Sequence, residues 1–117
     1  AAILPDFIEM GLDAYNPLEA KAGLDVVELR RKYGHKLAFC GNGNVQVFEE
    51  GDTEKVRREV LRKLNAAKGG GYIFQSDHSV SSGVSGRTYD SAVRLVREFG
   101  TYPLALGEYD EEVVNCR

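Results

Sequence analysis

The chain has 117 residues, of which 43% are hydrophobic and 28% are charged, and its net charge is -3. This balance is typical of one globular domain or a piece of a larger one and excludes a disordered chain. The charge is too small to indicate a nucleic-acid or anionic membrane partner, and no apolar run approaches the ~20 residues of a membrane helix. The two cysteines, Cys40 and Cys116, do not make a disulfide framework. With no signal-peptide pattern at the amino end, we expect a cytoplasmic protein.

The hydrophobic pattern predicts helices and strands in alternation. In chain order they are a helix over 3–11, a strand near 13–16, a helix over 25–34, a strand near 37–41, a helix over 52–68, a strand near 71–76 and a helix over 85–100. The predicted N-caps of the last three helices are Asp25, Asp52 or Thr53, and Ser85, and the predicted stops of the second and last helices are Gly34 and Gly100. The residues from 105 to 117 give no clear assignment and are treated as a tail.

Two of the helices have a clear polar and apolar division. The basic residues predicted for the solvated face of the 52–68 helix are Arg57, Arg58, Arg62 and Lys63. They alternate with Glu54 and Glu59, so a nucleic-acid site is not favoured. The residues predicted for the buried face of the last helix are Tyr89, Ala92, Val93 and Val96.

The three strands are short and apolar throughout, which favours strands covered on both faces and therefore a parallel α/β sheet. Ligands meet such sheets at the carboxyl ends of the strands. Those ends are polar here, and the candidate binding residues on them are Asn16, Gly41, Asn42, Asn44 and Ser76. If the strands are neighbours, these residues converge on one site.

The last strand leads into Asp77 and His78, the candidate catalytic residues. His78 can serve as an acid, a base or a hydrogen-bond donor near neutral pH, or it can be an ordinary loop histidine facing solvent. Asp77 can orient His78 or ligate a metal, but capping of a turn is the better single interpretation of an aspartate there. Neighbours on an extended segment point to opposite sides, so both can face a pocket only if the strand has already ended.

A metal or dinucleotide site is not favoured by the spacing of the candidate residues. Cys40 ends an apolar strand and fits a small buried hydrophobe. His35 lies at the amino end of the same strand, away from His78, and no zinc-type Cys or His spacing is present. The Gly-x-Gly at 41–43 lacks the third glycine and the acidic partner of a dinucleotide fingerprint, and we expect no metal and no cofactor.

Three long segments resemble the carboxyl-terminal third of the uroporphyrinogen decarboxylase family, which includes corrinoid methyltransferases that act on thiols. The three segments of this chain are "GLDAYNPLEAKAGLDVVELRRKYG", "LAFCGNGNVQVFEEGDTEKVRREV" and "GGGYIFQSDHSVSSGVSGRTYDSAVRLVREFGTYPL". The shared motifs are a Gly-Asn after a hydrophobic strand, a Gly-Gly-Tyr-Ile-Phe strand and a histidine after it. Their order and spacing agree over residues 3 to 104.

The resemblance implies a (β/α)8 barrel, of which 1–104 would be the carboxyl-terminal segment and 105–117 a tail. His78 matches a histidine that helps to hold substrate carboxylates, and Gly41 and Asn42 match the Gly-Asn of the preceding strand. The family's reaction is a cofactor-free decarboxylation of a porphyrinogen. The essential aspartate and the carboxylate-binding arginines lie in the amino-terminal part of that barrel, so the chain is expected to be inactive alone.

Two further interpretations remain open. The chain can be a corrinoid-dependent methyltransferase-like protein, although no cysteine stands near His78 to complete that group's zinc site. It can also be a non-catalytic module that associates with itself, because three barrel strands leave two open edges and an uncovered inner face. The expected partners are therefore a small-molecule substrate together with either further copies of the chain or an amino-terminal half of the barrel.

Overall fold

The computed structural model describes residues 4–18, 23–77, 79–80 and 82–113. Its elements are α1 (Leu4–Glu9), β1 (Ala14–Leu18), α2 (Val26–Tyr33), β2 (Ala38–Gly41), α3 (Val45–Glu50), α4 (Thr53–Lys63), β3 (Tyr72–Ile73) and α5 (Gly86–Phe99). Two short 3-10 helices are also present, Leu64–Ala67 after α4 and Gly107–Tyr109 after α5. The predicted α/β class is confirmed. Over the described ranges, no helix combines the length and the apolar character that crossing a membrane requires.

The prediction of four long helices is wrong in two respects. α1 has only six residues, and α3, which also has six, was not predicted at all. α3 is preceded by its N-cap Asn44 and followed by its C-cap Gly51, whose φ of 72° is in the left-handed region. Helices this short are marginal on their own and depend on tertiary contacts, so their sequences carry a weak periodic signal.

The predicted caps of the longer helices are confirmed. The carboxylates of Asp25 and Asp52 accept from main-chain N–H groups in the first turns of α2 and α4, and the Ser85 hydroxyl does the same for α5. Gly34 and Gly100 follow the last residues of α2 and α5. These caps satisfy donors and acceptors that a helix end otherwise leaves without an intrahelical partner.

The strands form a parallel sheet in the order β1-β2-β3. β2 is central, with Phe39 opposite Tyr15 on one side and Tyr72 on the other. β3 is shorter than the predicted strand over 71–76. Past Ile73 only a single bridge, between Gly43 and Ser76, continues the pairing. The chain turns at Gly41, the last residue of β2, and at Asn42, which both have positive φ values.

Among the described residues, the helices cover only one face of this sheet, so the prediction of strands covered on both faces is wrong there. Phe39 is fully buried and packs in a core with α1 and α2. The residues that alternate with this row point the other way. This second row, which we call the bare face, consists of Ala14, Asn16, Ala38, Cys40, Ile73 and Gln75, and every member is exposed or half-buried.

A second core joins α3, α4 and α5, and it corrects the predicted buried face of the last helix. Ala92 and Val96 pack in this core, as predicted. Tyr89 is instead 54% exposed. It occupies the first turns of α5, where no neighbouring element among the described residues covers it.

The residues after α5 pack back onto the domain, although their sequence gave no assignment. Leu106 and Val113 are buried. The buried Asn65 side chain donates to the Tyr109 carbonyl and accepts from the Glu111 N–H, each at 2.8 Å. This segment therefore belongs to the fold as far as residue 113.

Candidate functional site

A polar side chain of β1 and one from the segment after β3 meet across the end of β2. The Gln75 amide nitrogen donates to the Asn16 side-chain oxygen at 2.7 Å, although 59 residues separate them in the sequence. Both side chains are exposed and belong to the bare face. The half-buried Cys40 lies in the strand between them. The predicted convergence of strand ends is thus visible for Asn16, and its partner Gln75 was not predicted.

The loop after β2 uses its polar groups to hold the fold together. The buried Asn42 side chain accepts from the Val26 N–H at 2.8 Å and donates to the Leu24 carbonyl at 2.9 Å. It thereby fixes the start of α2 against the end of β2. Asn42 has a φ of 71° and Gly41 one of 105°, a conformation that few residues other than glycine and asparagine adopt readily.

The same loop is supported from below by a buried ion pair. The Lys63 ammonium donates to the Asn42 carbonyl at 2.6 Å and to the Glu59 carboxylate at 2.8 Å. The same Glu59 oxygen accepts from the Asn44 N–H, also at 2.8 Å. Lys63 is 5% exposed, so its predicted place on the solvated face of α4 is wrong. The charged end of Lys63 points inward because it donates to a carbonyl of the loop backbone. Helical periodicity does not reveal such an interaction.

Asn44 and Asp77 both serve the first turn of α3. Asn44 accepts from the Gln46 N–H at 3.0 Å as the N-cap. The carboxylate of Asp77, which is 2% exposed, accepts from the Val45 N–H at 3.1 Å, and its own N–H donates to the Gly43 carbonyl at 2.7 Å. Asp77 therefore anchors the strand end to α3, which agrees with its interpretation as a capping residue.

The hydroxyl of Tyr72 also connects β3 to the end of β2. It donates to the Gly41 carbonyl at 2.6 Å. Burial raises the pKa of Tyr72 well above its ordinary value, and the negative charge of Glu59 adds to the effect. Tyr72 is thus a neutral hydrogen-bond donor at physiological pH rather than an acid or base for chemistry.

The described residues contain no group of three or more His, Cys, Asp or Glu that could hold a metal ion. His35 stands at the amino end of β2, as predicted, with its Nδ1 3.3 Å from a guanidinium nitrogen of Arg30. The pKa of His35 is below its ordinary value, because the surrounding protein removes water from the ring and Arg30 repels a second positive charge. His35 and Cys40 therefore have separate environments.

The structure divides the predicted site residues into two groups. Asn16 is on the bare face, where a ligand could contact it, whereas Gly41, Asn42, Asn44 and Asp77 lie in the network that shapes the loops. Ser76 is half-buried at the bridge to Gly43. His78 lies outside the described residues. Chemically, this arrangement offers amide donors and acceptors and a thiol on an open surface, beside loops held by hydrogen bonds.

Comparison with known proteins found no matching family model, no matching curated protein and no matching solved structure. The relation to the uroporphyrinogen decarboxylase family therefore stays a prediction from the sequence.

Proposed function

We propose that this chain is the carboxyl-terminal segment of a (β/α)8 barrel of the uroporphyrinogen decarboxylase type. In such a barrel the helices lie outside, one face of every strand points inward, and the site lies at the carboxyl ends of the strands. The observation that supports this proposal is the bare face, since the helices leave the same side of three parallel strands uncovered.

The proposed ligand is a carboxylate-rich small molecule such as a porphyrinogen. Asn16 and Gln75 supply amide donors at the rim, and His78 is assigned the role of a donor to substrate carboxylates. Asp77, buried against α3, positions the segment that leads into His78. The chemistry of the class is a decarboxylation, in which a positioned proton donor stabilises the developing carbanion or delivers the proton.

On this proposal the chain alone forms a partial pocket and is inactive as an enzyme. The bare face offers contacts from one side only, so a ligand gains affinity from a fraction of the surface that a closed barrel would provide. We therefore expect weak binding without turnover, and full activity only when further strands complete the barrel.

The test is a binding titration of the full chain with uroporphyrin, the stable oxidised form of a carboxylate-rich porphyrinogen, followed by its fluorescence. A porphyrin of similar size with cationic side chains is the control ligand. The proposal predicts binding of uroporphyrin but not of the cationic porphyrin, and weaker binding for Asn16→Ala with Gln75→Ala. The control variant is Gln46→Ala on the exposed side of α3. Equal binding of both porphyrins, or of all variants, would contradict the proposal.

A further inference from the structure

The exposed apolar side chains are concentrated at the two edges that the described strands leave open. Within the described residues, six large hydrophobic side chains are exposed: Met10, Leu12, Ile73, Val80, Tyr89 and Tyr102. The first two line a groove of about 450 Å³ beside β1. Val80 and Tyr89 line a second groove of about 370 Å³ between β3 and α5, and Ile73 is on β3 itself. Five of the six thus lie at an edge, which is where unprotected strands recruit other chains.

The charged residues near the two grooves also differ in sign. The described residues from 4 to 16, which include α1 and most of β1, contain the acids Asp6, Glu9 and Asp13 and no basic residue. The groove at the β3 edge is lined by Arg97, which makes no ion pair with any described residue, whereas its neighbour Arg94 pairs with Asp90. Arg97 in one groove is complementary to the acids beside the other groove, and two copies of the acidic stretch would repel each other.

We propose that copies of this chain associate head-to-tail, with the β1 edge of one copy docked on the β3 edge of the next. The partner at each groove is a second copy of this chain, because one chain carries both the β1 edge and the β3 edge that complements it. A head-to-tail contact is heterologous, since each interface uses two different patches, and it generates a ring or an open series of copies. This inference goes beyond the proposed function and does not depend on it.

Two edge variants and their mixture distinguish a head-to-tail contact from a two-fold one. The first variant, Ile73→Thr with Tyr89→Ser, damages the β3 edge, and the second, Met10→Ser with Leu12→Ser, damages the β1 edge. Each keeps one intact edge. All four replacements are uncharged, so the mixture cannot gain an artificial ion pair between the two damaged edges.

The measurement is mass in solution by sedimentation, over the micromolar range, with folding checked by circular dichroism. We expect the original chain to self-associate and each variant alone to associate at least about tenfold more weakly, since two apolar contacts are lost. An equimolar mixture should form a one-to-one heterodimer and nothing larger, through the single pair of intact edges. If Tyr89→Ser does not fold, Val80→Ser replaces it in the first variant.

Three results would overturn the proposal: an original chain that is monomeric throughout this range, either variant self-associating as strongly as the original chain, or a mixture that stays monomeric. The control is Tyr102→Ser, because Tyr102 is exposed but lines neither groove, and its association should be unchanged. Arg97→Gln should weaken association several-fold at low salt and reduce its salt dependence. An unchanged dissociation constant for Arg97→Gln would contradict the pairing of Arg97 with the acidic stretch of the next copy. None of these outcomes depends on porphyrin binding, so the two proposals can fail separately.

Discussion

The ammonium of Lys63 donates to the main-chain carbonyl of Asn42 at 2.6 Å, with both residues almost entirely buried. The contact joins the last residue of α4 to the loop that follows β2, and Glu59 completes it by accepting from Lys63 and from the Asn44 N–H. The loop at the candidate site therefore depends on a charge pair beneath it.

Lys63→Met should destabilise the fold by about 3–5 kcal/mol, because it leaves the Glu59 carboxylate largely buried without its cation. The double variant with Glu59→Leu should recover much of this loss, since both charges are then removed together. Urea unfolding at neutral pH measures the two free energies.

The matched control for Lys63 is Arg94, which pairs with Asp90 at the same i,i+4 spacing but on an exposed surface. Arg94→Met should cost less than about 1 kcal/mol. Comparable losses at Lys63 and Arg94 would mean that the buried pair does not support the loop.

Tyr72→Phe should reduce the free energy of unfolding by about 0.5–1.5 kcal/mol, because it deletes the hydrogen bond from the hydroxyl to the Gly41 carbonyl and little else. Tyr15→Phe, across the sheet, is a control of the same chemistry. Denaturant titration gives both values, and a Tyr72→Phe protein as stable as the original would show that this bond adds nothing.

Gly43→Ala should destabilise the protein by about 1–3 kcal/mol, because an added Cβ would lie 2.9 Å from the Gln75 carbonyl oxygen and 3.2 Å from the Phe74 ring. At Gly86, in the first turn of α5, a Cβ meets nothing within 4 Å. Gly86→Ala should therefore be neutral or stabilising by up to about 1 kcal/mol. Thermal unfolding of the pair checks the prediction, and similar melting temperatures would show that the β3 end can move away without cost.

Stability should fall as the pH drops through the titration of His35. Because the pKa of His35 is lowered in the folded state, the unfolded chain takes up a proton first, and this lowers the free energy of the unfolded chain relative to the fold. The contribution is complete above the ordinary histidine value of about 6.5 and is lost as the pH falls through the lower folded value.

His35→Gln should flatten that part of the pH profile, measured as denaturation midpoints between neutral and mildly acidic pH. An unchanged slope between the original chain and the variant would assign the pH dependence to other groups.

Much of the fold could be predicted from the sequence where local rules decide. Asp25, Asp52 and Ser85 cap helices through main-chain groups two or three residues away, so the sequence reveals these contacts. The placement of Lys63 could not be predicted, because its acceptor Asn42 is 21 residues away. An apolar strand likewise does not tell whether one face or both will be covered.

The candidate site was predictable to a similar extent. The polar strand ends predicted that Asn16 would meet another strand end, but the amide that contacts it belongs to Gln75, 59 residues further on. Asn42 was predicted to bind a ligand because it follows a strand, but its side chain is hydrogen-bonded inside the fold instead. Asparagine serves both purposes with the same groups, so residue type alone could not separate them.

The central claim, that the bare face is a ligand surface, can be tested at Cys40. Its thiol lies on that face between Asn16 and Gln75, and the chain's other cysteine can be removed as Cys116→Ser. The measurement is the rate at which Cys40 reacts with a soluble disulfide reagent, with and without saturating uroporphyrin. The account predicts a rate several-fold lower with the porphyrin bound. An unchanged rate at saturation would contradict it.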